Sequence, residues 1–361
     1  MRTTASFGRL ERAVHRVAFA TRRAQLGLAD LEARWFRAEL HAVVPGPPVW
    51  VAGLPRAGST ALLELLAACP EFAAQTYRDA PFALTPLLWR ALARRVQRPV
   101  APRERAHGDG LEVAPDSPAA LEELVWRAFW PAHYRRDRIA PWTDCARPEF
   151  VEFFAAHRQK VVALCARTEP RARRYLAKNN ATIARVPAIL DAVPDATVVV
   201  PLRDPVQQAA SLLRQHLRFT AIHRDDPFAR RYMADLGHFE FGAGLRPIDF
   251  GGWLDGGADG RAAPRPDELA FWLDYWLAAH RHLLAHADRD GLVFVDCERL
   301  AATRDVGPLA ARLGVDAREL ERAASRLRPL PTRAVDAAGL PASAAAAAAE
   351  VHAALRQRAL R

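Results

Sequence analysis

The sequence predicts an α/β protein: a mainly parallel sheet with helices on both faces, of the phosphate-loop nucleotide-binding type, with an N-terminal helix and helical insertions. Two observations predict it. Short apolar runs near residues 49–53, 174–178 and 196–203 are each followed by a helical pattern, and a further strand-like run lies at 292–296. The first of these strands enters its helix through Gly53-Leu-Pro-Arg-Ala-Gly58, a turn of the G-x-x-x-x-G kind.

Taken in order, residues 10–40 read as one helix, because Leu10, Val14, Val17 and Ala18 recur at helical spacing and no proline intervenes. Pro45, Pro47 and Pro48 break the chain before the first strand, and residues 60–68 form the apolar helix after the glycine turn. Residues 81–110 read as irregular. Asp116-Ser117-Pro118 predicts a helix start, with a side-chain cap and proline at the first helical position, ahead of Leu121, Leu124, Val125, Phe129 and Trp130. Residues 148–167 are a further helix. A short helix at 187–192 follows the second strand, and Asp204 caps the helix after the third, which runs to about His216. Residues 242–266 read as a long surface insertion, 271–287 as an amphipathic helix, and the Ala-rich tail 341–361 as a terminal helix. The organisation expected is an N-terminal helical segment (1–44), an α/β domain (45–340) with helical insertions at about 81–170 and 218–290, and the tail.

The chain has 361 residues, half of them hydrophobic, enough for a full core. A formal charge of +10 raises nucleic acid or a membrane as partners. The densest basic clusters are only pairs, such as Arg94-Arg95 and Arg173-Arg174, with no basic arm or zinc-finger spacing, so a small anionic ligand is expected and nucleic acid is not. Cys69, Cys145, Cys165 and Cys297 lie far apart without a C-x-x-C pair, which reads as reduced thiols. With no signal-peptide pattern and no uncharged run of about 18 residues, the expected location is cytoplasmic. Of 51 basic residues only two, Lys160 and Lys178, are lysines. Where Arg has displaced Lys so thoroughly, as in a GC-rich genome, a remaining lysine marks a place that needs a compact ammonium, and attention falls on Lys178.

In the glycine turn, Gly53 and Gly58 permit the tight path, and the amides of Gly58, Ser59, Thr60 and Ala61 would line an anion site at a helix N-terminus. An ATPase loop carries lysine after the second glycine; here Ser59 stands there and the cation, Arg56, lies inside the loop. That suits one phosphate bearing a reactive group better than a magnesium-bound triphosphate. The plain alternative is a turn between strand and helix. Arg203 closes the third strand and Ser211 follows eight residues later on its helix, so both can converge on a second phosphate. Alternatively Arg203 pairs with a carboxylate such as Asp204, and Ser211 is an ordinary helix residue.

Residues 51–60, Val-Ala-Gly-Leu-Pro-Arg-Ala-Gly-Ser-Thr, resemble the 5′-phosphosulfate loop of sulfotransferases that use 3′-phosphoadenosine 5′-phosphosulfate (PAPS). The spacing of Arg203 and Ser211 is similar to that family's 3′-phosphate motif. The resemblance is strongest over 47–66 and 174–217. It implies that Arg203 and Ser211 hold the 3′-phosphate, and that Arg56, Ala57, Gly58, Ser59 and Thr60 hold the 5′-phosphosulfate. It implies PAPS as co-substrate, no metal, and transfer to a hydroxyl or amine of a small-molecule, glycan, lipid or peptide acceptor. The segments at His107-Gly-Asp-Gly110, 116–123 and 231–238 resemble bacterial members more weakly, and Cys297 replaces a tyrosine usual in the last strand.

Sulfuryl transfer depends on positioning and on stabilising charge spread over equatorial and bridging oxygens. Lys178 ends the second strand, and resemblance to the tyrosylprotein branch implies that it stabilises the transition state. For the base that takes the acceptor's proton, Asp79 follows the first helix, where related enzymes place a glutamate, and His107 is its rival. Asp79 pairing with Arg78 is the simpler alternative. His280, His282 and His286 share a helix without the spacing of a metal motif, and Trp89, Trp126, Trp130 and Trp142 either wall an acceptor site or belong to the core. Two other functions fit a glycine loop of this kind: a phosphate-loop kinase or nucleotide hydrolase, and a silent nucleotide-binding protein.

Overall fold

The structure, a computed structural model, describes residues 8–19, 21–93, 103–104, 112–256, 264–337 and 339–361. Its strands are β1 (Gly46–Ala52), β2 (Phe72–Ala74), β3 (Arg103–Glu104), β4 (Glu112–Val113), β5 (Arg174–Asn179), β6 (Thr197–Leu202) and β7 (Leu292–Asp296). Five of them form one parallel sheet in the order β2-β5-β1-β6-β7, while β3 and β4 pair with each other antiparallel.

Every residue of β6 and β7 is buried, as is β1 from Val49 onward, because helices cover both faces of the sheet. The period of two sorts the side chains. Val49 and Val51 pack with Leu62, Leu66, Val293 and Leu309 on one face, while Trp50 and Ala52 join Phe154, Val198, Leu273 and Trp276 on the other. Pro47 and Pro48 lie at the start of β1, where the register with β5 shifts between Gly46 and Val49 and a missing N–H donor is tolerated. The central strand is β1, flanked by β5 and β6, so the chain crosses from one side of the sheet to the other at its carboxyl end, where α/β sheets bind ligands.

The helices differ from expectation in four places. The single helix expected over 10–40 is three, Arg9–Ala18, Arg22–Trp35 and Arg37–His41. Thr21 starts the second, its hydroxyl accepting from the Ala24 amide at 3.1 Å, and Phe36 is the joint before the third. The helix expected from Pro118 begins instead at Glu123. Asp116 is drawn off into an ion pair with Arg78, the Ser117 hydroxyl accepts from Ala114, and Pro118 bridges to Thr76. Within the irregular 81–110 stretch, Pro86–Ala93 is helical. The helix capped by Asp204 spans Pro205–Asp225, beyond His216, because its face keeps burying Phe219 and His223. Residues 242–266 are not purely surface: Ile248 and Phe250 enter the core and the Ile248 amide donates to the Tyr275 hydroxyl at 3.0 Å. The tail forms helix Ala342–Gln357, which packs on helix Leu269–Leu284 with Ala348 and Leu355 fully buried.

Candidate active site

The loop after β1 is shaped by two left-handed residues, Arg56 (φ 70°) and Gly58 (φ 98°). Gly58 precedes helix Ser59–Ala67 and gives it no side-chain cap, so the amides of the first turn are left for another acceptor. A Cβ on Gly58 would lie 3.3 Å from Cys297 Sγ, so both the conformation and the neighbour call for glycine. Ala57 and Ser59 are buried, and Thr60 is half-buried.

Beside this loop stands the end of β6. Arg203 is 2% exposed; its guanidinium donates to the Arg56 carbonyl at 2.8 Å and to the Pro331 carbonyl at 2.6 Å, while its buried Nε has no hydrogen-bond partner among the described residues. Asp204 is not its ion-pair partner here but the helix cap, accepting from the Gln207 amide at 2.8 Å. On that helix Ser211 Oγ accepts from Arg56 Nε at 3.2 Å, and Gln208 donates to the carbonyls of Leu54 and Pro55 at 3.2 and 2.9 Å. Three expected ligands, Arg56, Arg203 and Ser211, therefore meet in one place.

Two arginines join them that sequence reasoning missed. Burial lowers the pKa of Arg203, Glu298 opposes that, and the charges of Arg56 and Arg214 lower it further. Burial, Arg333 and Arg56 in turn lower that of Arg214. The guanidiniums of Arg56, Arg203 and Arg214 repel one another, and that of Arg333 acts on Arg214, so the fold holds like charges together here. Arg214 lies one turn beyond Ser211 on the same helix, a legible signal. Arg333 lies in an irregular segment that Gln207 ties down from both sides, its side chain donating to the Arg333 carbonyl at 2.9 Å and accepting from the Arg333 amide at 3.0 Å. No periodicity announces it.

At the end of β5, Lys178 is nearly buried and its charge helps to lower the pKa of Glu240 to about 2; His238 and the Asn180 amide act the same way, against burial, which is the largest effect. Asn180 Nδ2 donates to Glu240 Oε1 at 2.7 Å. Behind them, Asn179 donates to Glu123 at 2.6 Å, and Glu123 is paired with the fully buried Arg185, which stacks over Trp126 and Trp142. Trp126 and Trp142 are thus core residues, as one of the two readings had it.

Asp79 is placed differently. It is 1% exposed, its Oδ2 accepts from the Thr76 amide at 2.7 Å in a capping box, and its Oδ1 pairs with Arg90 at 2.8 Å, while Arg78 pairs with Asp116 instead. His107 lies outside the described residues. Lys160, the other lysine, pairs with buried Glu32 at 3.2 Å and pins the N-terminal helices. Among the described residues no group of three or more His, Cys, Asp or Glu side chains could hold a metal ion. Also among them, no helix is long and apolar enough to cross a membrane.

The fold and the loop define a nucleotide-type α/β protein, and the comparisons give its family. The sequence profile of the sulfotransferase family matches residues 47–239, more than half of the chain, and the protein belongs to that family. Among solved structures it is similar to sulfotransferase STF1 from Mycobacterium tuberculosis H37Rv, with 16% identity, a TM-score of 0.47, and coverage of 83% of this chain and 76% of that one. It is similar to STF9 from Mycobacterium avium, with 15% identity, a TM-score of 0.48, and coverage of 90% and 78%. The sulfotransferase domain of the Synechococcus PCC 7002 olefin synthase matches at 16% identity, a TM-score of 0.38, and coverage of 86% and 94%. No curated protein matches the chain.

Proposed function

We propose that this sulfotransferase moves a sulfuryl group from PAPS to a hydroxyl acceptor by in-line displacement. The observation that carries the reading is the meeting of Arg56, Arg203 and Ser211, with a buried Arg203 Nε that lacks a hydrogen-bond partner among the described residues. In it, Arg203, Ser211, Arg214 and Arg333 hold the 3′-phosphate. Arg56, with the amides and hydroxyls of Ala57, Gly58, Ser59 and Thr60, holds the 5′-phosphosulfate. The residues present fit such a ligand: they offer cations, open first-turn amides and an unmet buried donor.

Lys178, Arg56 and Asp79 are the catalytic group this reading inherits from the sequence. Lys178 and Arg56 supply positive charge where the leaving phosphate gains negative charge. Asp79, the expected base, is the member whose surroundings support it least, since both carboxylate oxygens are already engaged. Cytoplasmic residence is part of the proposal and rests on four unpaired cysteines.

The test is calorimetric titration of 3′-phosphoadenosine 5′-phosphate against the protein and against Arg203→Ala, with AMP as control. The reading requires the bisphosphate to bind much more tightly than AMP and Arg203→Ala to erase the difference. Equal binding of the two nucleotides, or magnesium-dependent turnover of ATP, would sink it in favour of a kinase or a silent binder.

A further inference from the structure

Nine large hydrophobic side chains are exposed among the described residues, and five of them, Val17, Leu28, Leu31, Trp35 and Val44, fall between residues 17 and 44. Trp35 is the only tryptophan of the nine and is 67% exposed. Leu28, Leu31 and Trp35 share helix Arg22–Trp35 at i, i+3 and i+7, so they project within about 60° of one another. Ala24 and Gly27 extend the same exposed stripe, and a Cβ on Gly27 would meet nothing within 4 Å.

The inward face of this helix fixes where the stripe points. Ala29 and Glu32 are fully buried. Glu32 pairs with Lys160 at 3.2 Å and accepts from the Leu88 amide at 2.7 Å, while Lys160 donates to the Ala29 carbonyl at 2.5 Å. Rolling the helix to cover Trp35 would break a buried ion pair and leave each charge uncompensated, a larger cost than three exposed apolar side chains. The leucines and the tryptophan are thus locked outward.

Arginines edge the stripe. Arg23 and Arg34 are exposed along one side of it, Arg37 is exposed just past the joint at Phe36, and Asp30 is the one exposed carboxylate of the helix. Residues 1–44 carry eight arginines against four carboxylates, and two of those carboxylates, Glu32 and Glu39, are engaged by Lys160 and Arg167. The proposed nucleotide site uses none of this charge. An apolar stripe with a tryptophan, flanked by arginines whose stems lie flat while their heads stay in water, is the pattern of a helix lying in a bilayer interface. A second copy of the chain fits less well. Three side chains offer far less than the ~800 Å² per partner of a stable dimer, and two chains of formal charge +10 repel each other.

We infer that helix Arg22–Trp35 docks the protein on a bilayer surface rich in anionic phospholipid. Leu28, Leu31 and Trp35 enter the headgroup region, and Arg23, Arg34 and Arg37 meet the lipid phosphates. The helix leads through Arg37–His41 into the amino end of β1, whereas the glycine loop follows its carboxyl end, so attachment and nucleotide binding are separate events. The inference does not depend on which nucleotide the loop holds.

The test is co-sedimentation of the full chain with vesicles of equimolar phosphatidylglycerol and phosphatidylcholine, and with vesicles of phosphatidylcholine alone. The mixed vesicles should bind at least about tenfold more tightly, because each arginine at an anionic surface is worth about fivefold in partition. Leu31→Ser with Trp35→Ser should weaken binding to the mixed vesicles by about tenfold or more, through lost apolar burial. Arg23→Gln with Arg34→Gln should remove most of the preference for the anionic lipid. All four positions are exposed, so thermal melts of both double variants should match that of the unaltered protein. Protein left in the supernatant with the mixed vesicles overturns the inference. So does undiminished binding of the serine variant, which would mean adsorption by net charge alone. A dimer in analytical ultracentrifugation that the serine changes dissociate also overturns it, giving the face to a second copy.

Discussion

Arg56 donates to Ser211 at 3.2 Å across 155 residues of sequence, joining the loop after β1 to the helix after β6. The contact couples the two halves of the proposed nucleotide site. Ser211→Ala should weaken binding of 3′-phosphoadenosine 5′-phosphate by about fivefold, a neutral hydrogen bond of about 1 kcal/mol. Arg56→Ala should cost roughly 10- to 100-fold, as a charged donor does. Because the residues touch, the double variant should depart from additivity by at least about 0.5 kcal/mol, read by a calorimetric double-mutant cycle. Strict additivity would mean the two act on different parts of the ligand.

Arg214 is proposed for the 3′-phosphate by its electrostatic reach to Arg56 and Arg203, and Arg333 by its reach to Arg214. Arg214→Ala and Arg333→Ala should each lower affinity for the bisphosphate about tenfold while leaving AMP affinity unchanged, and added salt should shrink the effect. If AMP affinity drops in step, these arginines serve the adenosine or the fold rather than the 3′-phosphate.

Gly58 holds φ at 98° against Cys297. Gly58→Ala should destabilise the protein by about 1–2 kcal/mol through the left-handed backbone alone. Adding Cys297→Ala relieves the contact but not the dihedral, so a thermal melt of the pair should recover only part of the loss. Complete recovery would place the whole cost in the contact.

The buried pair of Glu123 and Arg185 anchors Asn179 at the end of β5. Glu123→Ala should destabilise by about 3–5 kcal/mol, because it leaves the guanidinium charge uncompensated. Glu123→Leu combined with Arg185→Met should cost much less, since neither charge then stays buried alone. Urea unfolding decides the matter; a double variant as weak as the single one would show that the pair contributes more than mutual charge compensation.

Burial pushes the imidazoles of His157 and His280 down to about 3, helped at His157 by Lys160 and Arg158 and opposed at His280 by the Trp276 carbonyl. In the unfolded chain a histidine titrates near 6.5. Between these values the unfolded state binds protons that the folded state refuses. Their contribution to stability is thus complete above about pH 6.5 and is lost as pH falls toward 3. The slope is at most about 1.4 kcal/mol per pH unit for each histidine. Urea midpoints between pH 7.5 and 5 should fall, and His157→Gln or His280→Gln should flatten that fall.

Much of the fold was legible because strands covered on both faces carry unbroken apolar runs and because prolines and capping residues mark element ends. Strands β1, β5, β6 and β7 lie where the runs lie. Asp116-Ser117-Pro118 misled for a physical reason: a capping side chain can be claimed by a distant arginine, here Arg78, and a local signal carries no information about that competitor. Arg56, Arg203 and Ser211 were legible as a group because each belongs to a short motif at a strand end. Glu240 and Arg333 were not, since neither belongs to a periodic element and nothing local in the chain sets their neighbours.

Local sterics and hydrophobic period alone set the alternation of strands and helices, the glycine turn and the cations at the strand ends. Which side chains share a space emerged with the packed fold. It drew Asp79 into a pair with Arg90, brought Arg214 within reach of Arg203 and Arg333 within reach of Arg214, and set Glu240 against Asn180. The reason is that burial and charge act through space. The energy of an ionisable group depends on every element packed against it, and that packing is settled only when the sheet is covered on both faces.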